Sequence, residues 1–420
     1  MAAKKSTKAK AGKAKAKKAA PKKAALKKTA AKKTAVKKAS AKKTSAREPA
    51  IYKGLAGVTV DTTSVSKVMP ETNSLTYRGY AVQDLAANCR FEEVAYLMWH
   101  GELPTRAQLR AFEADERSRR GISRAHVNVI SQYPKKAHPM DTLRTSVSYL
   151  GTTETAWGGE PAEKDLGRAM DMLAKIPTMI ATDYRFRKGL RRITPRKDLT
   201  MSENFFHMCF GKVPPKEVIK AFDISLILYA EHSFNASTFT ARVITSSRSD
   251  IYSAVTGGIG SLKGPLHGGA NEAVMHNLLE IKTPARAEKW LRDKQAAGEL
   301  VMGFGHRVYK QGDSRVPTMR AALEDLAAWK GDTNWLEISD VLQNIMIGEK
   351  GIHPNLDFPA GPAYYLMGFE IDMYTPIFVM SRITGWAAHI IEQNASNSLI
   401  RPLSAYNGKK QRKVKPITKR

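Results

Sequence analysis

Residues 372–394, DMYTPIFVMSRITGWAAHIIEQN, carry the pattern that decides the fold. Met380, Ile383, Ala387 and Ile390 recur at three- and four-residue spacing, which lines one side of an α-helix. Thr375 and Pro376 ahead of them predict a cap and a first turn. The same period returns elsewhere. KEVIKAFDISLILYA (residues 216–230) is apolar nearly all round, as a helix enclosed in a bundle is. Pro317 opens a segment with Met319, Leu323 and Leu326 on one side. Thr105 to Gln108 has capping-box spacing ahead of Leu109 and Phe112, in a stripe that runs to Gly121. Strands of a parallel sheet do not recur, so an all-α body is expected. The exception lies at its entrance, where GLAGVTVDTTSVSKV (54–68) and SLTYRGYAV (74–82) alternate β-branched and small residues and predict one or two short N-terminal β-hairpins.

A chain of 420 residues has ample interior for one large domain or two ordinary ones. Lys+Arg 68 against Asp+Glu 39 gives a net charge of +29, but the excess is uneven. Residues 1–47 hold 18 Lys, one Arg and no acid; taking those 19 charges from +29 leaves +10 for everything after them. Stretches such as KKTAAKKTAVKKASAKKTS (27–45) repeat Lys pairs and small residues, with too little apolar area to offset the entropy of ordering, so the tail is read as disordered. It resembles the Lys/Ala tails of linker histones. Non-specific contact with DNA or RNA phosphates and a merely solvated extension are both open readings; without aromatic residues to stack on bases, sequence-selective binding is not expected. The closing GKKQRKVKPITKR (408–420) reads as a basic surface extension. Cys89 and Cys209 stand far apart and in no metal spacing, which excludes a disulfide framework and a Cys-based zinc site and suits a reducing compartment. No apolar run approaches a membrane span and no secretory signal opens the chain, so a soluble, cytoplasmic protein is expected.

The chain has no GxSxG elbow, no HExxH and no GxxxxGK[ST] loop. Gly258, Gly260 and Gly264 in GGIGSLKG are misplaced for a dinucleotide loop and read as a glycine-eased turn. What remains is a set of polar residues beside glycine or proline. His267, in LKGPLHGGANEAV, precedes a helix beginning near Ala270, whose N-terminus would bias the ring towards neutral imidazole. His306, in GFGHRVYK, follows Gly303 and Gly305, which allow close ligand approach. Asp357, in HPNLDFPAG, lies among apolar residues whose desolvation would raise its pKa towards general-base use. His232, in YAEHSFNAST, ends the apolar helix, where the C-terminal dipole favours a cation. Arg315, Arg382 and Arg401 stand in apolar or turn-forming surroundings suited to clamping carboxylates. Singly, each also fits a cap, a turn or a solvated surface.

In series they are far more specific. LHGGANE, GFGHRVY, PNLDFPAG, AEHSFNASTFTARVI, TGWAAHIIEQ and IRPLSAY together resemble the citrate synthase family, in particular its 2-methylcitrate synthase branch, over residues 51–406. The resemblance implies a two-domain helical fold: a tail (1–50), a large domain (51–268, returning at 369–420) and a small domain (269–368). It implies an acyltransferase that condenses propionyl-CoA, and acetyl-CoA alongside, with oxaloacetate and then hydrolyses the thioester. No metal or other cofactor is implied, coenzyme A being part of a substrate. Asp357 would remove the α-proton, His267 would stabilise the enolate, and His306 would polarise the keto oxygen of oxaloacetate. His232, Arg315, Arg382 and Arg401 would grip its carboxylates. In the family the last arginine comes from the partner subunit, which implies a homodimer. Leu300, Val301, Met302, Gly303 and Phe304 would border CoA, with Arg106 a further substrate contact. A citrate synthase restricted to acetyl-CoA is the alternative within the family; a nucleoid-associated protein acting through its tail is the alternative outside it.

Overall fold

The computed structural model describes residues 50–154, 161–306, 308–309 and 311–420. The basic tail, and with it the expectation of disorder, lies outside the described residues. Gly57–Ser404 forms one compact unit. Residues 50–56 and 405–420 belong to a second, exposed and irregular apart from single 3-10 turns at Lys53–Leu55 and Ile417–Lys419.

The compact unit opens with three strands, β1 (Ser66–Met69), β2 (Ser74–Tyr77) and β3 (Tyr80–Ala81), antiparallel in that order, with Ser66 opposite Tyr77. Residues 57–65 form no strand, so the alternation read there does not pair. The rest is helical: α1 (Val82–Asn88), α2 (Phe91–His100), α3 (Arg106–Arg119), α4 (Arg124–Ser131), α5 (Pro139–Thr152), α6 (Ala162–Arg187), α7 (Met201–Phe210), α8 (Lys216–Tyr229), α9 (Ala236–Ser246), α10 (Ile251–Leu262), α11 (Ala270–Ile281), α12 (Pro284–Ala296), α13 (Val316–Lys330), α14 (Asn334–Lys350), α15 (Asp357–Leu366) and α16 (Tyr374–Ala395). The capping box at Thr105 and Gln108 forms as expected, and Met319, Leu323 and Leu326 are buried on α13.

Helix α16 is the axis of the unit, buried along nearly its whole length and packed on α6, α9, α10 and α8. It starts two residues earlier than its sequence suggests, with Met373 and not Thr375 at the cap position. Thr375 lies inside the first turn, and its backbone N–H and hydroxyl both reach Glu272 on α11, so its polarity ties two helices instead of capping one. The glycines of GGIGSLKG also differ from expectation. Gly257, Gly258 and Gly260 lie within α10, where a Cβ on Gly258 would stand 3.1 Å from the Trp386 ring and one on Gly257 would overlap Ile244. Close packing of α10 against α9 and α16 accounts for Gly257 and Gly258; a Cβ on Gly260 would meet only Arg144 at 3.7 Å, and Gly264 lies in the turn after α10, as expected.

Candidate active site

Three segments distant in sequence converge beside α16. The first is the turn that ends α8. His232 is buried, its Nε2 has no hydrogen-bond partner, and Ser233 after it has a left-handed backbone, φ 52°. Burial, and after it the Arg315 charge, hold the His232 pKa well below the usual imidazole range. The cation expected from the α8 dipole is therefore overturned: desolvation and facing guanidinium groups outweigh a terminal partial charge.

The second segment pairs residues 303–306 with 353–357. Gly305 N–H donates to His353 O at 2.8 Å, Asn355 N–H to Gly303 O at 2.9 Å, and the Phe304 ring packs at a tilt against Phe358 with centroids 4.5 Å apart. Gly303 is required here, because φ is +87° and a Cβ would meet Val274 at 2.6 Å and Phe358 at 2.9 Å. This pairing sets His306 beside the start of α15, where Asp357 stands. His306 Nδ1 accepts N–H groups of Val308 and Tyr309 at 3.0 and 3.1 Å, so the neutral ring carries its proton on Nε2. The His306 and His232 rings lie 5.0 Å apart, and Tyr309 packs on both. Half-buried Asp357 accepts the Tyr229 hydroxyl at 2.6 Å; burial pushes its carboxyl up to about 6, with that hydrogen bond acting in the opposite direction.

The third segment is the turn before α11. His267 Nε2 faces the Ser237 hydroxyl at 2.8 Å and accepts the Ser237 N–H at 3.2 Å, which leaves the proton of the neutral ring on Nδ1. Burial, with Arg382 second, pushes its pKa down to about 3. The helix N-terminus facing the ring is thus that of α9, contributed by another segment, and not that of the α11 helix which follows in sequence.

Two buried arginines complete the cluster. Asp313 holds Arg315 in a fork, Oδ1 to Nε at 2.9 Å and Oδ2 to Nη2 at 2.7 Å, and Arg315 keeps it far below the usual carboxylate range although burial alone would raise it. Arg382 donates Nε to Tyr229 O at 2.6 Å and lies over the Phe378 ring at 4.7 Å, while its buried Nη1 has no partner. Phe378 joins the parts: its ring is 4.1 Å from that of Tyr229 and 6.4 Å from that of His267.

His232, His267, His306, Asp357, Arg315 and Arg382 therefore share one neighbourhood. Leu300 is exposed, Val301, Met302 and Phe304 are partly buried, and Gly303 is buried against Phe358. Arg401 lies in the exposed segment after α16, and Arg106 is exposed at the start of α3, which packs on α2 and α6; the structure brings neither to the cluster. Tyr229, Ser237 and Asp313 were not singled out from the sequence. Only Asp313 had a signal, an acid two residues before Arg315 in GDSRVP. A small pocket between α5, α6 and residues 370–376 is lined by none of these groups. Among the described residues no cluster of three or more His, Cys, Asp or Glu side chains is arranged to hold a metal, and no helix is long and apolar enough to cross a membrane. Chemically, the cluster offers a raised carboxylate as base, two neutral imidazole N–H donors and two cations for carboxylates.

Comparison with known proteins agrees in extent. Residues 54–403 match the family described as citrate synthase, C-terminal domain. The chain is 58% identical to a citrate synthase of Mycolicibacterium smegmatis over 366 residues, covering 87% of this chain and 97% of that protein. It is 59% identical to a 2-methylcitrate synthase of Mycobacterium tuberculosis over 364 residues, covering 87% and 92%. It resembles the solved ternary complex of citrate synthase from Thermoplasma acidophilum with carboxymethyl coenzyme A and oxaloacetate, with TM-score 0.84, 35% identity and coverage of 88% and 100%.

Proposed function

The chain belongs to the citrate synthase family, and from that premise we propose that it is a 2-methylcitrate synthase that also makes citrate, using propionyl-CoA or acetyl-CoA with oxaloacetate. What supports this reading is the convergence of Asp357, His267 and His306 on one cluster, with burial raising the Asp357 carboxyl and holding His267 neutral and two backbone N–H groups occupying His306 Nδ1. Asp357 removes a proton from the carbon next to the thioester. His267 donates Nδ1–H to the thioester oxygen, stabilising the enolate that a lone carboxylate is too weak a base to generate. The enolate carbon attacks the keto carbon of oxaloacetate, whose oxygen takes the proton of His306 Nε2. Water then cleaves the thioester and releases CoA. His232, Arg315 and the unpartnered Nη1 of Arg382 receive the oxaloacetate carboxylates.

A large domain, within residues 51–268 and its return from 369, and a small domain of residues 269–368 close to exclude water before enolisation, with residues 300–304 bordering CoA and 405–420 left as a basic extension. Arg401, exposed here, serves the partner subunit of a homodimer. The enzyme needs no metal or further cofactor and works in the cytoplasm. The name of the M. smegmatis relative supports acetyl-CoA use, and one methylene in an apolar pocket discriminates by only about 1–3 kcal/mol, which favours dual use.

CoA release from oxaloacetate with each acyl-CoA tests the reading; no release with either would overturn it. Asp357→Ala should abolish condensation while oxaloacetate still binds by calorimetry, and near-native turnover would remove Asp357 from the role. Residues 1–47 add a non-specific hold on nucleic acid. Gel retardation that weakens with salt and vanishes on deleting the tail is expected, and equal retardation of both proteins would rule it out.

A further inference from the structure

The turn bearing His232 is gripped from a part of the chain that carries none of the chemistry. Ser66 on β1 donates its hydroxyl to Glu231 Oε1 at 3.0 Å and accepts the Ser233 N–H at 3.0 Å, so one side chain holds both neighbours of His232. Opposite it across the hairpin, the Tyr77 hydroxyl lies 2.9 Å from Glu231 O, to which it donates, and 3.2 Å from Glu231 N, which donates to it. Glu231 is wholly buried and fixed from its other side. Arg242 donates Nη1 to His389 Nδ1 at 3.1 Å, which leaves the His389 proton on Nε2, 2.9 Å from Glu231 Oε1. Arg242 is in turn paired with Glu392 at 2.8 Å and with Asp61 at 3.3 Å. Gly385 makes the slot: a Cβ there would overlap Glu231 and approach Ala230 O at 2.5 Å.

The arrangement is more than the turn needs for its own sake. Ser233 has φ 52°, a left-handed conformation that a non-glycine residue keeps only where its surroundings over-determine it. The bond it gives Ser66 and the double hold on Glu231 supply that determination. The side chain thereby aimed is His232, whose Nε2 is buried with no protein partner.

We propose that the Ser66–Tyr77 pair of the N-terminal hairpin is a positioning clamp for His232, fixing the imidazole that receives oxaloacetate. This rests on the oxaloacetate reading above. The clamp touches neither substrate, so its loss should appear in oxaloacetate affinity and not in use of the thioester.

The test compares the full-length enzyme with Ser66→Ala and Ser66→Thr, the latter keeping the hydroxyl, measuring CoA release at varied oxaloacetate and varied propionyl-CoA. Wild-type activity is recorded first, and an inert wild type would defeat the functional reading itself. Given an active wild type, Ser66→Ala should raise KM for oxaloacetate about tenfold, with KM for propionyl-CoA within twofold and the melting temperature nearly unchanged. Ser66→Thr should recover most of the loss. Tyr77→Phe supplies an independent disturbance of the same turn and should raise the same KM. An oxaloacetate KM within twofold of wild type in both Ser66→Ala and Tyr77→Phe, or both KM values rising together with a lowered melting temperature, would overturn the clamp.

Discussion

Replacing Tyr229 by Phe removes the phenol that donates to Asp357 at 2.6 Å and keeps the ring that packs on Phe378. Burial lifts Asp357 to about 6, and the Tyr229 hydrogen bond is the leading influence holding it down. A hydrogen bond to a charged group contributes roughly 1.5–3 kcal/mol, and for a half-buried carboxylate the lower end applies. One pKa unit corresponds to about 1.4 kcal/mol, so losing the bond moves Asp357 up to roughly 7. The sign follows from the donor favouring the charged form: without it the proton is held more tightly. At pH 6 the ionised fraction then drops from about a half to about a tenth, whereas at pH 8 it stays near nine-tenths. The expected result is a fall of about fivefold in kcat/KM for the acyl-CoA at pH 6 and almost none at pH 8. Initial rates of CoA release from pH 5 to 9, at saturating oxaloacetate, measure it. An acid limb at the same pH in both proteins, or one uniform loss at all pH values, would refute Asp357 as the base whose titration limits the rate.

Asp313→Asn leaves the Arg315 charge buried without its carboxylate, a change that costs about 3–5 kcal/mol where both partners are out of solvent, as here. A melting temperature lower by several degrees, partly restored by oxaloacetate, is expected; a melt insensitive to the substitution would show the pair is not structural. His126 on α4 is buried against Tyr149 with its Nε2 unpartnered, and burial pushes it down to about 4. Between pH 6.5 and 4 the unfolded chain therefore binds more protons than the folded one, and stability complete above pH 6.5 is lost as pH falls, by up to about 3 kcal/mol from this group. His126→Gln should flatten the decline of melting temperature over that range, and parallel curves would exclude His126 as its source.

The helices were legible because their cause is local. The spacing of Met380, Ile383, Ala387 and Ile390 states which side of α16 is buried whatever buries it. Gly258 differs from its reading for the converse reason: a glycine's local preference is for a turn, and only Trp386, from another helix, shows why a helix needs it. The site divides along the same line. Residue types at His267, His306 and Asp357 were readable, since each stands by breakers that open a backbone. Their protonation was legible in direction at Asp357, where desolvation is the largest influence, and at His267, which is neutral as expected although burial and the Arg382 charge are what hold it so. His232, expected charged from the end of its own helix, is neutral because burial, and after it the charge of Arg315 from far along the chain, disfavour the cation. His267 owes its tautomer to Ser237 of α9, and Arg315 owes its aim to Asp313. Local sequence thus chooses the group, and burial together with donors and charges from other segments chooses its protonation state. Substituting Tyr229, Asp313 or Ser66 should accordingly alter the chemistry although every residue that performs it is retained in the sequence.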